Sequence, residues 1–377
     1  MTSLPTFPPL GPISKKLNAS QLKWSDFTKA IPFSYTEIQE VKAWAVFMRA
    51  MVLWGAFVWC GLTLFSVSSW TWYHFLIDAL ICVGIFCCYA NLFVLAHDCG
   101  HFCFSKSKLA NKFVGHFILS VFHIGFHNWK IGHNFHHVYS QTIGRDTTWT
   151  KDKMTVDVFK NSDAKTQKSY LIGYATLIGV LVGYYFSCVN YFFFVRYYKI
   201  IPLEKEQKRQ LMFSSFLVLV FSLGHLYLFY RIGGIAFYFN FHLVPLMFGA
   251  VAAVGIPLLQ HAHKNGVYFD KESWTPMRGQ ILGTYNFRMP YFWERVFNDV
   301  NLHVGHHINP KVPWYNLRKV HNELKTKFPD YIFEYDLTWD AIKGIYANPL
   351  AEWDAEFNLY RSVPVPEKKL MMFVIHF

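Results

Sequence analysis

The sequence predicts an all-α integral membrane protein: four transmembrane helices in two hairpins, additional interfacial or re-entrant helices, and a cytoplasmic helical cap. Three observations predict it. Hydrophobic residues make up 53% of the 377 and charged residues only 16%, against about 25% charged in ordinary soluble domains. Uncharged runs at 50–77, 79–97, 210–230 and 232–263 approach or exceed the roughly 20 apolar residues that cross a bilayer. The net charge of +12 is unevenly placed: residues 1–263 carry 22 basic and 11 acidic side chains, residues 264–377 carry 14 and 13. The excess therefore lies between apolar runs, as in membrane proteins with positive inner loops. It forms no stripe suited to nucleic acid. The same composition excludes a disordered chain.

Residues 1–43 are polar to mixed, with Pro5, Pro8, Pro9 and Pro12. They lack the charged, apolar and small-residue order of a secretory signal and read as a cytoplasmic N-terminal segment. The first hairpin pairs spans at about 45–66 and 74–97, with its turn near Ser66–Tyr73. Residues 113–129 are apolar but short, and hold His116, His123 and His127. Residues 169–195 are a further uncharged run, broken by Gly173, Gly179 and Gly183. Both flanks of that run are basic, so it must enter and leave on one side, as an interfacial or re-entrant segment. The second hairpin pairs spans at about 211–230 and 235–259 and turns at Arg231, Gly233 and Gly234. Of the 22 basic residues before position 264, only Arg231 falls in an outer loop. The positive-inside rule then places both termini in the cytoplasm. A membrane domain over 44–320 is thus flanked by cytoplasmic segments 1–43 and 321–377, the latter with a helical stretch at Trp339–Tyr346.

The seven cysteines form no CxxC and no disulfide framework, which implies a reducing face. Cys99 and Cys103 flank a histidine cluster at helical spacing and read as packing residues. No Gly-rich phosphate loop or dinucleotide fingerprint is present.

The chemistry resides in the histidines, 18 in all. Three clusters stand out: His97-Asp-Cys-Gly-His101, His133-Asn-Phe-His136-His137 and His303-Val-Gly-His306-His307. Spacings of i+3 and i+4 bring side chains to one face of a helix. The charge count places all three clusters on the cytoplasmic side without using them. Eight imidazoles exceed the three or four protein ligands of an ordinary zinc site and suit two octahedral metals sharing the set. A metal transporter or sensor, the non-enzyme alternative, would want ligands at the bilayer midplane. Here they sit at the ends of the spans. His74, His225, His242, His321 and His376 are scattered.

With these clusters the sequence resembles the membrane fatty acyl desaturases. The resemblance is carried by HDCGH at 97–101, HNFHH at 133–137 and HVGHH at 303–307. It extends to Gly144-Arg145-Asp146-Thr147-Thr148-Trp149, Leu259-Gln260-His261, Gly283-Thr284-Tyr285, Asn298-Asp299-Val300-Asn301-Leu302 and Pro313-Trp314-Tyr315-Asn316-Leu317-Arg318. It covers roughly 45–320 and is most similar to the cyanobacterial and plastid-type acyl-lipid omega-6 (Δ12) group.

The resemblance implies a di-iron centre. His97, His101, His133, His136, His137, His303, His306 and His307 would be iron ligands. His261, with His263 as the alternative, would be a ninth. Asp98, Asp146, Asp299 and Asn301 would support ligand rings through hydrogen bonds. The implied reaction introduces a cis double bond into a lipid-linked acyl chain, oleate to linoleate, with O2 as cosubstrate. An alkyl C–H has no useful acidity, so the hard step belongs to the metal cofactor. Other positions (Δ15/omega-3 or Δ9) and acyl hydroxylation would use the same histidines. Two electrons must come from an external donor, a ferredoxin or a b-type cytochrome, for which the basic loops at 127–169 and 196–210 offer a surface. The expected site is a bacterial inner membrane or thylakoid, with the endoplasmic reticulum as the alternative.

Overall fold

The computed structural model describes residues 7–148, 150, 153–175 and 201–365. Helices α1 (Leu10–Ala19) and α2 (Trp24–Lys29) open the chain. Their apolar residues Leu10, Leu17 and Phe27 share a core with Phe269, Tyr285 and Tyr331. The N-terminal segment is therefore folded onto the C-terminal region.

Helices α3 (Glu40–Phe65) and α4 (Trp72–Gly100) pack as an antiparallel hairpin. Both are long because apolar helix formers run without a proline. Thr71 starts α4: its backbone N–H donates to His74 Nδ1 at 3.0 Å. Glu40 ties the other end together, accepting from Ser105 Oγ at 2.9 Å and the Lys106 N–H at 2.6 Å. The first half of α4 exposes Phe75, Leu80 and Val83, whereas Tyr89 to Gly100 is almost wholly buried. The helix thus leaves an apolar exterior and enters a packed core just where His97 lies.

Helices α5 (Lys108–Val121) and α6 (Phe126–Tyr139) meet at 101°. The bend lies at the left-handed His123, φ 58°, and Phe126 packs on Gly115, where a Cβ would collide with it. Two shorter helices follow, α7 (Val156–Lys160) and α8 (Ala164–Ala175). The run expected at 169–195 as interfacial falls largely beyond the described residues.

Helix α9 (Lys205–Tyr238) breaks at Gly234, with φ 80° and ψ −179°. A π-helical turn, Phe239–Leu243, then leads into α10 (Val244–His261). The ring centroids of His225 and His242 are 4.2 Å apart. Seventeen residues of straight helix would separate them by about 25 Å. The chain therefore reverses at Gly234, and 205–261 is a helical hairpin. Among the described residues, Phe33–Phe65, Trp72–Gly100 and Lys205–His261 are long and apolar enough to cross a membrane, with the bent α5–α6 pair as a possible fourth by the same test.

The remainder forms the cap: α11 (Tyr291–Val296), α12 (Val304–Ile308), α13 (Leu317–Lys327) and α14 (Trp339–Ala347). The structure is mostly helical, as expected, but not wholly so, because this part also carries two small sheets. Val267–Tyr268, Leu359–Val363 and Leu350–Asp354 form an antiparallel sheet, and Asn286–Arg288 pairs in parallel with Glu334–Asp336. Strands of two to five residues are too short to show a two-residue period in sequence. Asn358, φ 53°, supplies the left-handed turn between the last two strands. The described cysteines are all free.

Candidate metal centre

Four elements deliver the histidines to one place. His97 and His101 lie at the end of α4, His133, His136 and His137 on α6, His261 on the last residue of α10, and His303, His306 and His307 at α12. They sort into two groups. His97, His101, His133, His137 and His306 form one; His136, His261, His303 and His307 form the other. Within each group, one nitrogen from every ring lies within 4.8 Å of the rest.

In the first group Nε2 of His133 is 2.9 Å from Nε2 of His97 and 3.1 Å from Nε2 of His137, which is 3.0 Å from Nε2 of His306. In the second, Nε2 of His136 is 3.2 Å from that of His261, and Nε2 of His307 is 3.0 Å from that of His303. Imidazole–metal bonds of about 2.1 Å would place neighbouring ligands of an octahedral or tetrahedral ion about 3.0–3.4 Å apart. The rings therefore already have the spacing of ligands around a cation.

The hydrogen bonds on the far sides of the rings point the same way. His136 donates from Nδ1 to Asp146 Oδ1 at 2.8 Å, His261 from Nδ1 to the Gly283 carbonyl at 3.0 Å, and His307 from Nδ1 to Gln280 Oε1 at 2.6 Å. A ring protonated on Nδ1 presents a bare lone pair at Nε2. Without a cation, those lone pairs would face one another. His101 Nε2 is also buried with no partner, an arrangement native proteins avoid unless something fills it. Burial pushes the His303, His306 and His307 rings well below their ordinary range, and the neighbouring rings add to it. They stay neutral at neutral pH, which is the ligating form. Both groups thus fit bound metal, and their nitrogen-rich donor sets are compatible with a di-iron pair.

The supporting residues divide. Asp146 is fully buried and accepts four hydrogen bonds: from His136, from the Thr148 N–H and Oγ, both 2.9 Å, and from the Gln141 N–H at 2.8 Å. Burial alone would raise its carboxyl, but the His136 ring and these donors hold it below the usual range. Asp98 Oδ2 accepts from the Trp314 N–H at 3.0 Å, and its other oxygen is 3.7 Å from His97 Nδ1, too far for a hydrogen bond. Asp299 pairs with Arg295 and Arg318. Asn301 donates to the Phe287 carbonyl at 2.6 Å and to Glu294 at 3.3 Å. The partners of Asp299 and Asn301 are therefore the cap itself rather than the rings. Their negative charge and amide hold the loop before α12, whose Asn298 and Asp299 are both left-handed.

His263 lies outside both groups. It packs on Phe7 at 4.1 Å and accepts from the Asn265 N–H at 3.2 Å. Gln280, Gly283 and Gln141 were not legible as site residues. Gln141 donates to the His261 carbonyl at 2.7 Å. It follows His137 by four residues, a spacing that could have flagged it. Gln280 lies more than twenty residues before the third cluster and carries no such signal, and although Gly283 opens the Gly283-Thr284-Tyr285 stretch of the resemblance, nothing there marks its carbonyl as a ring acceptor. His116 packs on His127 at 5.0 Å, and His123 Nε2 lies 3.3 Å from His242 Nε2. None of these four joins either group.

The comparisons agree with this geometry. A family profile described as fatty acid desaturase matches residues 70–339. An sn-1 oleoyl-lipid 12-desaturase of Picosynechococcus sp. is 27% identical, over 89% of this chain and 92% of that protein. The protein of the same name from Arthrospira platensis is 25% identical, over 85% and 86%. A chloroplastic omega-6 fatty acid desaturase of Glycine max is 24% identical, over 85% and 71%. The profile takes in all three histidine clusters and most of the chain, and the chain belongs to the fatty acid desaturase family.

Proposed function

We propose that this desaturase inserts a cis double bond at the Δ12 position of a lipid-linked oleoyl chain, consuming O2 and two electrons. The observation that carries the reading is the convergence of nine histidines into two nitrogen-lined groups. The names of the relatives, oleoyl-lipid 12-desaturase and omega-6 desaturase, supply the position. His97, His101, His133, His137 and His306 would hold one iron; His136, His261, His303 and His307 would hold the second. The bound pair would supply the oxygen chemistry that an unactivated C–H bond demands. Asp146, Gln280 and the Gly283 carbonyl keep the protons of three rings on Nδ1. The second group is wholly buried, which keeps bulk water from it.

The chain is read as four spans, with the α3–α4 and α9–α10 hairpins supplying two each and both termini cytoplasmic. Support comes from the charge count and from the site's place at the ends of α4 and α10. The functional unit is 44–320, with 1–43 and 321–377 as cytoplasmic flanks. The membrane is a bacterial inner membrane or a thylakoid. The electron donor is an acidic ferredoxin, or a b-type cytochrome, docked on the basic loops.

The test is lipid profiling in a host that makes oleate but no linoleate and supplies reduced ferredoxin. Wild type is compared with His306→Ala, both shown to be in the membrane. A linoleate peak that vanishes in the variant is expected. A hydroxylated or differently placed product would overturn the Δ12 assignment. Absence of bound iron in the wild type would overturn the mechanism.

A further inference from the structure

The cap carries a feature that neither the histidines nor the core explains. Helix α11 exposes two adjacent aromatics, Tyr291 at 63% and Phe292 at 61%. Its other side lies along α4: the Trp293 and Phe297 rings are 6.1 and 6.2 Å from Phe86. Just beyond, Asn91 donates to Asn298 Oδ1 at 2.9 Å.

Depth decides what covers the exposed face. Phe57 of α3 packs against Gly84 of α4. In this antiparallel pair, Arg49 is therefore level with about residue 92 of α4. Arg49 is exposed and is the last charge before the uncharged run of 50–77, so it marks the cytoplasmic edge of the hydrocarbon. Phe86 lies six residues deeper, about 9 Å. Aromatic faces of interfacial helices sit about 5–10 Å into the headgroup–acyl boundary. Deeper along the same helix α4 the exposed residues are apolar as well, with Val83 and Leu80 standing open. The charges behind it are balanced: Arg318 pairs with Glu294 at 2.7 Å, and Asp299 is shared by Arg295 and Arg318. Arg295 lies over the Tyr291 ring at 5.1 Å and remains partly exposed, as a cation snorkelling to headgroup level would be.

We propose that Tyr291–Phe297 is a membrane-inserted wedge, with Tyr291 and Phe292 covered by acyl chains of the cytoplasmic leaflet, so that the histidine-bearing cap docks on lipid through this segment. The wedge leads directly through Asn298 and Asp299 to the third histidine cluster. Lipid contact there would set the height of His303, His306 and His307 relative to the bilayer. The proposal rests on the reading of α4 as a span.

The test places an environment-sensitive fluorescent amino acid at Phe292 in the full-length protein, reconstituted in liposomes. Leu80 serves as the lipid-facing control and the exposed Lys343 as the aqueous one. Lipids carrying a nitroxide near the headgroup end of the acyl chain should quench the Phe292 probe at least about threefold more than aqueous iodide does, as for interfacial insertion. The Lys343 probe should show the reverse. Iodide quenching at Phe292 like that at Lys343, with Leu80 still quenched by lipid, would overturn the wedge and leave the span intact. Shielding of Phe292 from both quenchers would put protein there and equally overturn it. A Leu80 probe that behaves like Lys343 would overturn the span and the wedge together.

Discussion

Replacing Asp146 with asparagine isolates one support of the metal centre. All four of its partners donate: the His136 Nδ1–H, two groups of Thr148 and the Gln141 N–H. The carboxylate spreads these over both oxygens, three on Oδ1 and one on Oδ2. An amide offers one oxygen. Whichever way it is turned, its NH2 faces a donor in a site with no exposure. One unpaired buried donor costs about 1–3 kcal/mol. If the amide turns its nitrogen toward His136, the ring also loses the acceptor that fixes its tautomer. Removing such a support typically lowers metal affinity about 10–100-fold, on the order of 1.4–2.7 kcal/mol. Asp299→Asn is the matched control, because that carboxylate is equally buried but serves Arg295 and Arg318. The assay is iron retention against a graded chelator, read by elemental analysis, together with the melting temperature. Asp146→Asn should lose iron at lower chelator, whereas Asp299→Asn, which touches no ring and acts only through the loop before α12, should chiefly lose stability and shift iron retention less. Equal iron affinity in wild type and Asp146→Asn would refute the assigned role.

The other predictions concern separate parts of the molecule. His261→Ala should halve the iron bound per chain, and His263→Ala should leave it unchanged, because only His261 lies in a nitrogen group; equal losses would refute the distinction. Gly234→Ala should destabilise the protein by about 1–3 kcal/mol, since a φ of 80° with ψ near 180° is essentially restricted to glycine; an unchanged melting temperature would show that the hairpin can turn another way. Lys153 is buried, its Nζ donating to the Asn348 carbonyl at 3.2 Å, and burial pushes its pKa down to about 7. Between that value and the unfolded value of about 10.4 the unfolded chain binds more protons, so this group makes stability rise with pH through that window. The full span is worth on the order of 5 kcal/mol. The melting temperature should therefore climb from pH 7.5 to 9.5 in the wild type, and Lys153→Met should flatten the climb; parallel profiles would refute the assignment.

How much was legible follows from the range over which each signal acts. The α3–α4 hairpin is readable because charge and hydropathy vary over twenty residues at a time, whereas Asp146 enters only through the Gly144–Trp149 motif that the family resemblance carries. The sheet of Val267–Tyr268 with Leu359–Val363 joins residues more than ninety apart through two-residue pairing, and nothing local announces it. Gln280 meets His307 only because a π-helical turn at Arg278–Leu282 projects it there. Asn301 has a motif beside a histidine cluster and yet bonds elsewhere. Adjacency in sequence says nothing about the direction of a side chain in a loop with two successive left-handed residues.

The distribution of histidines between the two groups has a simple helical origin. Residues four apart on a helix differ by about 40° in direction, whereas residues three apart differ by about 60° the other way. His97 and His101 share a group, as do His133 and His137, and His303 and His307. Each of these pairs is four apart. His136 and His306 are the middle histidines of their clusters, three residues after the first, and each goes to the opposite group from its neighbours. The HxxHH pattern is therefore a device for bridging: one cluster reaches both groups at once. Two such clusters and one HxxxH pair would leave the second group with only three rings. His261, at the end of α10, makes it four. Because the second and third clusters each contribute to both groups, neither group can assemble without α6 and α12 in register. The pair of sites is thus one structural unit, and a helix displaced from it would disturb both.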